Sequence, residues 1–337
     1  MAGDRPTRAV GVALSTIALI VFIGWDDRTK EGRTMHHTRA LFLSAARLMV
    51  VCAAVSLALA SCVHAETNWP RKVLITNDNG ISDPKLVALA RAFSEVATTV
   101  VVAPATDQSG TSNHISLGQD RPLVEVEARD LGGGIEAYAL DGYPADCVFW
   151  ALAGLLRESP PDLVVSGING GPNLGPDWIG SGTIGAARIA AFGGFPAIAV
   201  SGLDDGLAGA VAAATKWVVA LAQSPIVQEL ERGQFLTVSI PRVPPEQIKG
   251  VRVVKRAPIV LAGMPWFEPD TTKIESAGKQ TWAMRPPTER GFEIAGDIAA
   301  YQSNYIAVVP MRVDEHDYEL LEELEGRLGD FPPWPGK

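Results

Sequence analysis

Val73-Leu74-Ile75-Thr76-Asn77-Asp78-Asn79-Gly80 sets three β-favouring apolar residues directly before a polar tetrad closed by glycine. A short apolar run of this kind reads as a strand buried on both faces, and the tetrad falls at its carboxyl end. Downstream, Ser82 and Asp83 are N-cap candidates and Pro84 suits a first helical turn. Leu86, Leu89, Ala90, Phe93 and Ala97 then fall on one helical face. The unit is strand, acidic loop, helix. In open α/β sheets ligands bind beyond the carboxyl ends of the strands, which makes Asp78 the first candidate for chemistry. The same residues would also serve merely to turn a βα loop.

Working outward, Thr99 to Ala103 reads as a second strand, ended by Pro104 and followed by a polar loop carrying Asp107, Ser109, Gly110, Asn113 and His114. Ser109 and His114 resemble a nucleophile and base, but no Gly-x-Ser-x-Gly elbow accompanies them. Leu123 to Val126 and Glu136 to Ala139 read as short strands of an antiparallel excursion around Leu131-Gly132-Gly133-Gly134. Pro144 opens a helix with Asp146 in its first turn and Val148, Ala151, Leu152 and Leu155 as its buried stripe. Leu163 to Ser166 and Pro196 to Val200 are further strands, and Gly206 to Gln223 a largely apolar helix. This alternation predicts an α/β fold with a mostly parallel sheet and helices on both faces. Phe235 to Ile240, Val251 to Val254 and Tyr305 to Val309 read as later strands. Asp297 reads as the cap of a short helix, and Tyr318, Leu321, Leu324 and Leu328 give a final amphipathic helix. Ala257 to Gly291 lacks clear periodicity and reads as a projecting hairpin or oligomerisation arm.

The richest loop follows Leu163 to Ser166. Ser166-Gly167-Ile168-Asn169 leads to Gly171, Asn173, Gly175 and Asp177 at alternate positions, and Ser181-Gly182-Thr183 then opens a helix of small residues. Glycines let backbone N–H groups approach an anion, and a helix start adds donors and the positive end of its dipole. In outline this is a phosphate cradle, with Gly171, Asn173, Ser181, Gly182 and Thr183 as its contacts. It lacks the Gly-Lys-Ser/Thr ending of a Walker loop and the Gly-x-Gly-x-x-Gly of a dinucleotide site. A Gly-rich turn demanded by tight packing would look the same.

The 337 residues carry a net charge of −9 with 47% hydrophobic content, which excludes a basic footprint for polymeric nucleic acid. Of five histidines, three precede residue 66, and His114 and His316 lie far apart. Any metal at the site must therefore take mostly oxygen ligands, which suits Mg²⁺ or Mn²⁺ better than Zn²⁺.

Residues 1–65 read as a leader and 66–337 as a single α/β domain. Two apolar runs, Ala9 to Trp25 and Leu41 to Ala60, flank a charged segment, and Met35 stands just before an ordinary signal-peptide start. Val63-His64-Ala65 resembles a signal-peptidase site, and Leu59-Ala60-Ser61-Cys62 a lipoprotein box that would place a lipid anchor on Cys62. Either reading makes the protein exported and periplasmic, free or membrane-anchored. A retained membrane helix is the alternative. With the leader removed, Cys147 is the only ordinary thiol, and its apolar helical setting predicts a buried structural cysteine.

Taken together, Thr76-Asn77-Asp78-Asn79-Gly80, Ala103-Pro104 with Ser109-Gly110, Gly142 with Pro144-Ala145-Asp146-Cys147-Val148, and Ser166-Gly167-Ile168-Asn169 through Ser181-Gly182-Thr183 resemble, in this order, the SurE family. The resemblance is strong over Lys72 to Ser201 and weaker over Asp297 to Pro310. It implies a Rossmann-like core, homo-oligomers (dimer or tetramer) with exchanged arms, and metal-dependent 5′/3′-nucleotidase activity on nucleoside monophosphates. It further implies one divalent cation held by two adjacent acids, a Ser and an Asn, which map to Asp78, Asn79, Ser109 and Asn169. Asp78, Asn79 and Asn169 would also serve catalysis, and His114 would contact substrate. The chain departs from the pattern at Asn79, a neutral residue in the place of the second acid, and at Tyr143, usually Thr. The alternative function is a non-catalytic phosphate- or nucleotide-binding lipoprotein with a weakened metal site. A haloacid-dehalogenase-type aspartyl phosphatase fits poorly, because Gly80 stands where its second Asp belongs.

Mass spectrometry of the mature protein checks the leader. The expected N-terminus is Glu66 or a lipidated Cys62, and an intact leader on a soluble cytoplasmic protein would defeat both.

Overall fold

Strand β1 (Lys72–Thr76) lies between β2 (Thr98–Pro104) and β5 (Leu163–Asn169) and pairs in parallel with each. The computed structural model describes residues 69–118, 120–203, 206–258, 266–270, 280–285, 294–315 and 317–327. The sheet continues through β3 (Val126–Ala128), β4 (Glu136–Leu140), β6 (Ala197–Ser201), β7 (Gln234–Ser239), β8 (Val251–Val253) and β11 (Ile306–Arg312), in the order β3-β4-β2-β1-β5-β6-β7-β11-β8. The six consecutive strands from β4 to β7 and the β11–β8 pair run parallel where they meet, while β3–β4 and β7–β11 are antiparallel. The chain thus runs to one side of β1 through β2 and β4 and then crosses to the other through β5, which opens a crevice at the carboxyl ends of β1 and β5.

Period-two alternation divides the core. Val73 and Ile75 of β1, Val101 of β2 and Ile198 of β6 face one layer, while Leu74, Val100, Val102 and Ala199 face the other. Helices α1 (Pro84–Ser94) and α4 (Ala210–Ala222) cover the first face, and α2 (Pro144–Trp150) and α3 (Gly182–Phe192) the second. A strand buried on both faces must be apolar at every position, which is why β1, β2 and β5 read as unbroken runs. The predicted α/β architecture with both faces covered is present.

Local departures have identifiable causes. Asp83, not Ser82, caps α1, its Oδ1 accepting from the N–H groups of Lys85 at 2.7 Å and Leu86 at 3.3 Å. The π-helical turn Ala151–Leu155 after α2 adds a residue to the turn, so Leu156 is buried and Leu155 only partly so. Leu123 to Glu125 form no strand, because Leu123 stands 83% exposed and pairing with β4 begins only at Val126. The helix expected from Gly206 starts at Ala210, after Gly209 in a left-handed conformation. Short helix α5 (Pro225–Gln228) follows it. Asp297 lies inside α6 (Gly296–Gln302) and serves the loops around it, while Ala295 holds the N-cap position. Within the predicted arm, β9 (Trp266–Pro269) and β10 (Trp282–Arg285) pair as an antiparallel hairpin, and the rest of Ala257 to Gly291 lies largely outside the described residues. The final helix α7 (Tyr318–Gly326) buries none of its residues, and Leu328 lies outside the description. The leader also lies outside it, and among the described residues no helix is long and apolar enough to cross a membrane.

Cys147 is fully buried and unpaired, and burial pushes its thiol well above the ordinary value, as a structural cysteine requires. Its neighbour Asp146, fully buried at the start of α2, accepts from Ser116 N–H at 2.8 Å, Ser116 Oγ at 2.7 Å, Leu117 N–H at 3.2 Å and Tyr143 N–H at 3.0 Å. This carboxylate anchors the loop after β2 to the second helical layer. Asp146→Ala leaves those donors without their acceptor, and the expected loss is about 2–4 kcal/mol. Thermal unfolding followed by circular dichroism should show a melting point lower by roughly 5–15 °C.

Candidate active site at the carboxyl ends of β1 and β5

The loop after β1 is a closed unit. Asn77, fully buried, donates from Nδ2 to Gly80 O and accepts Gly80 N–H on Oδ1, both at 3.1 Å, and so fixes the four-residue turn through Asp78 and Asn79. Asp78 is 2% exposed. Its Oδ1 accepts from Thr183 Oγ1 at 2.7 Å and its Oδ2 from Thr183 N–H at 3.0 Å. Burial raises the Asp78 carboxyl above the usual carboxylate range, the two Thr183 bonds and its own backbone pull it back, and the charge of Asp107 adds to the rise. The carboxylate sits against the amino end of α3, where the helix dipole favours negative charge.

Close packing sets that position. Ser181 caps α3 by accepting Ile184 N–H at 3.1 Å. A Cβ on Gly182 would lie 3.0 Å from Asp78 Cβ and 3.2 Å from Pro144 Cγ, so only glycine lets the helix start approach the acid this closely. The first donors of α3 are thus committed within the protein, Thr183 to Asp78 and Ile184 to Ser181. The sequence reading gave Ser181 and Thr183 directly to phosphate. The structure shows them holding the acid and the helix.

The loop after β2 is tied to the first. Ile81 N–H donates to Pro104 O at 2.8 Å and Gln108 N–H to Asp78 O at 2.7 Å, which sets Gln108, between Asp107 and Ser109 in the chain, against the Asp78 backbone. Asp107 Oδ1 accepts Ser109 N–H at 2.8 Å, and both residues are exposed. Further along, a Cβ on Gly185 would lie 2.0 Å from Ser112 O, so α3 and this loop are in direct backbone contact. His114 is exposed, its ring edge-on to Tyr143 at 4.5 Å.

The third wall is the loop after β5, whose Ser166 pairs with Thr76. Gly167 has φ +135° and precedes a cis peptide, and a Cβ there would lie 2.4 Å from Val200 O. Asn169 donates from Nδ2 to Gly171 O at 2.8 Å, and its Oδ1 takes no hydrogen bond from a described residue. Gly202 N–H closes the turn onto Asn169 O at 3.0 Å and Gly171 O at 3.1 Å. Asn173, expected as a phosphate contact, donates from Nδ2 to Ser201 Oγ at 2.6 Å.

Three residues that hold this wall, and a fourth that stands beside it, were given no such role by the sequence. Asp297, 1% exposed, accepts Gly175 N–H at 2.9 Å and Ala257 N–H at 2.8 Å, and pairs with Arg256 at 3.3 Å. Arg256 also donates to Asn173 O at 2.6 Å and to Thr237 Oγ1 at 2.8 Å. Burial lowers its guanidinium pKa, and Asp297 counters the shift. Arg242 donates to Gly170 O at 2.7 Å. Lys85, 5% exposed, pairs with Asp83 at 3.4 Å and reaches to 3.9 Å from where a Gly170 Cβ would stand. Its one legible signal is a charged residue between Pro84 and Leu86 at the head of an apolar helix.

The donor set fits a hard cation. Among the described residues no three His, Cys, Asp or Glu side chains converge. Asn79 Oδ1 is buried without a hydrogen-bond partner, as are Thr76 Oγ1 and Ser166 Oγ at the strand ends beneath it. Buried polar atoms are normally paired, so an orphaned carbonyl oxygen beside a buried carboxylate marks a place prepared for a partner. One carboxylate with neutral oxygens from Asn79, Ser109 and Asn169 suits Mg²⁺ or Mn²⁺ in type, with fewer charges than such ions prefer. By contrast, a cavity of about 240 Å³ bounded by Leu203, Ala214, Trp217 and Ile240 has no charged or hydroxyl side chain in its lining, and the chemistry belongs to the polar crevice.

Comparison with known proteins agrees with this architecture. Residues 73–259 match the family model described as Survival protein SurE. The 5′-nucleotidase SurE of Alkalilimnicola ehrlichii is 35% identical over 255 residues, which cover 75% of this chain and 94% of that protein. The 5′/3′-nucleotidase SurE of Yersinia enterocolitica is 34% identical over 263 residues, 77% of this chain and 98% of its own length. The crystal structure of the SurE protein from Aquifex aeolicus superposes with a TM-score of 0.63 at 28% identity, covering 76% of this chain and 99% of that one. With the turn at Asp78, the loop at Ser109 and the Gly-rich loop meeting in one crevice of the expected sheet, this chain belongs to the SurE family.

Proposed function

We propose that the chain is a metal-dependent phosphomonoesterase that hydrolyses nucleoside monophosphates, a 5′/3′-nucleotidase. The observation that carries this reading is the buried Asp78 carboxylate, held by Thr183 at the start of α3 beside the orphaned Asn79 Oδ1. The names of the Alkalilimnicola and Yersinia relatives support it.

Asp78, Asn79, Ser109 and Asn169 are the residues that would hold a Mg²⁺- or Mn²⁺-type ion. Such an ion supplies positive charge that polarises a phosphoryl oxygen and makes water more acidic. Thr183 keeps both Asp78 oxygens oriented, so the acid need not reorganise as charge develops. The Nδ2 bond of Asn169 to Gly171 O fixes the amide, whose carbonyl oxygen is the group that would meet the ion. The remaining backbone N–H groups of the 169–173 turn and of Gly182 are the donors for phosphoryl oxygens, in place of Ser181 and Thr183. Asn173, Arg256 and Asp297 hold that turn in shape. His114, exposed on the loop after β2, contacts the leaving group.

The same reading makes residues 66–337 one exported domain, supported by the charged start and apolar run before Ala65, and makes the protein a homo-oligomer. Asn79 favours one competing reading, a phosphate- or nucleotide-binding protein without turnover, because a neutral ligand weakens cation binding.

Release of phosphate from nucleoside monophosphates by the purified protein, with and without Mn²⁺, separates the two readings. Asp78→Asn preserves the shape of the buried residue and is expected to lower metal-dependent turnover at least about a hundredfold, with the far-ultraviolet spectrum unchanged. Unchanged metal dependence in that variant would remove Asp78 from the site. Phosphate or sulfate soaked into crystals should contact the backbone between Gly167 and Gly182, and an anion held elsewhere over a closed loop would support a purely structural role for the glycines.

A further inference from the structure

Asn79 leaves the crevice one negative charge short of the adjacent acid pair that the family pattern implies. We propose that Asp107, on the loop after β2, supplies this second negative charge for the divalent cation, displaced in sequence from Asn79 but delivered to the same crevice. The inference rests on the metal-dependent reading of the site.

Two observations place Asp107 there. The 2.7 Å bond from Gln108 N–H to Asp78 O fixes the residue next to Asp107 against the backbone of the metal-binding turn. Ser109 N–H, donating to Asp107 Oδ1 at 2.8 Å, orients the carboxylate from the side of another assigned ligand and leaves Oδ2 for other partners.

Three other acids around the crevice are already engaged. Asp83 caps α1 and pairs with Lys85. Asp146 receives four hydrogen bonds from the loop and from α2. Asp297 pairs with Arg256. Asp107 forms no ion pair with any described residue, so its charge is not cancelled nearby. It need not touch the ion, because attraction between opposite charges falls only as the inverse of distance and such ions keep bound waters through which a carboxylate can act.

Calorimetric titration of the purified protein with Mn²⁺, without substrate, tests this. Asp107→Asn retains an oxygen for Ser109 N–H and removes only the charge, and it should raise the dissociation constant about tenfold with no change in melting temperature. Adding Asn79→Asp to Asp107→Asn returns a carboxylate to the crevice and should restore affinity to within about threefold of the parent protein. An Asp107→Asn constant within about twofold of the parent, while Asp78→Asn abolishes binding, overturns the assignment of Asp107 and leaves the metal site standing. A double variant as weak as Asp107→Asn also overturns it. Undiminished Mn²⁺ binding in Asp78→Asn defeats the metal-dependent reading itself.

Discussion

The carboxylate of Asp78 lies against the first turn of α3, with both oxygens accepting from Thr183. Burying a carboxylate costs several kcal/mol unless hydrogen bonds and a favourable field replace water. The helix N-terminus supplies both, and Gly182 permits the approach. Strand β1 and helix α3 are more than a hundred residues apart in the chain, so the acid is stable in place only once β1, β5 and α3 have assembled. The site and the sheet therefore form together.

Each loop of the crevice is fixed by a polar contact to a neighbour rather than by its own secondary structure. Asn77 closes its turn on Gly80, Gln108 reaches back to Asp78, Asp146 receives the loop after β2, and the Arg256–Asp297 pair braces the Gly-rich loop. A phosphate-handling site works by presenting donors and charge that need not reorganise during reaction, and this bracing supplies that property. It also explains why Asn173 and Thr183, placed by spacing in the cradle, turn out to hold the frame. A hydroxyl or amide near an anion site is equally suited to either task, and only the location of its nearest acceptor decides between them.

The family model matches residues 73–259 and so ends within the segment between β8 and α6. Asp297 and Arg256 stand at the two margins of that segment and meet as an ion pair, 41 residues apart. Their link keeps the Gly-rich loop tied to the sheet whatever the intervening sequence does.

What the sequence by itself determined is the alternation of strands and helices, the burial of both sheet faces, and the placement of Asp78, Ser109 and Asn169 at strand ends. Those follow from local periodicity and turn chemistry, which are written in consecutive residues. Element ends were less legible: the π turn that substitutes Leu156 for Leu155 and the late start of α4 depend on how each helix seats on the sheet. Only the tertiary structure decided that Thr183 serves Asp78, that Gln108 ties the loop after β2 to Asp78, and that Arg242, Arg256 and Asp297 support the Gly-rich loop. These are contacts between residues far apart in the chain, and a charge or hydroxyl carries no mark in sequence of the partner that folding will bring to it.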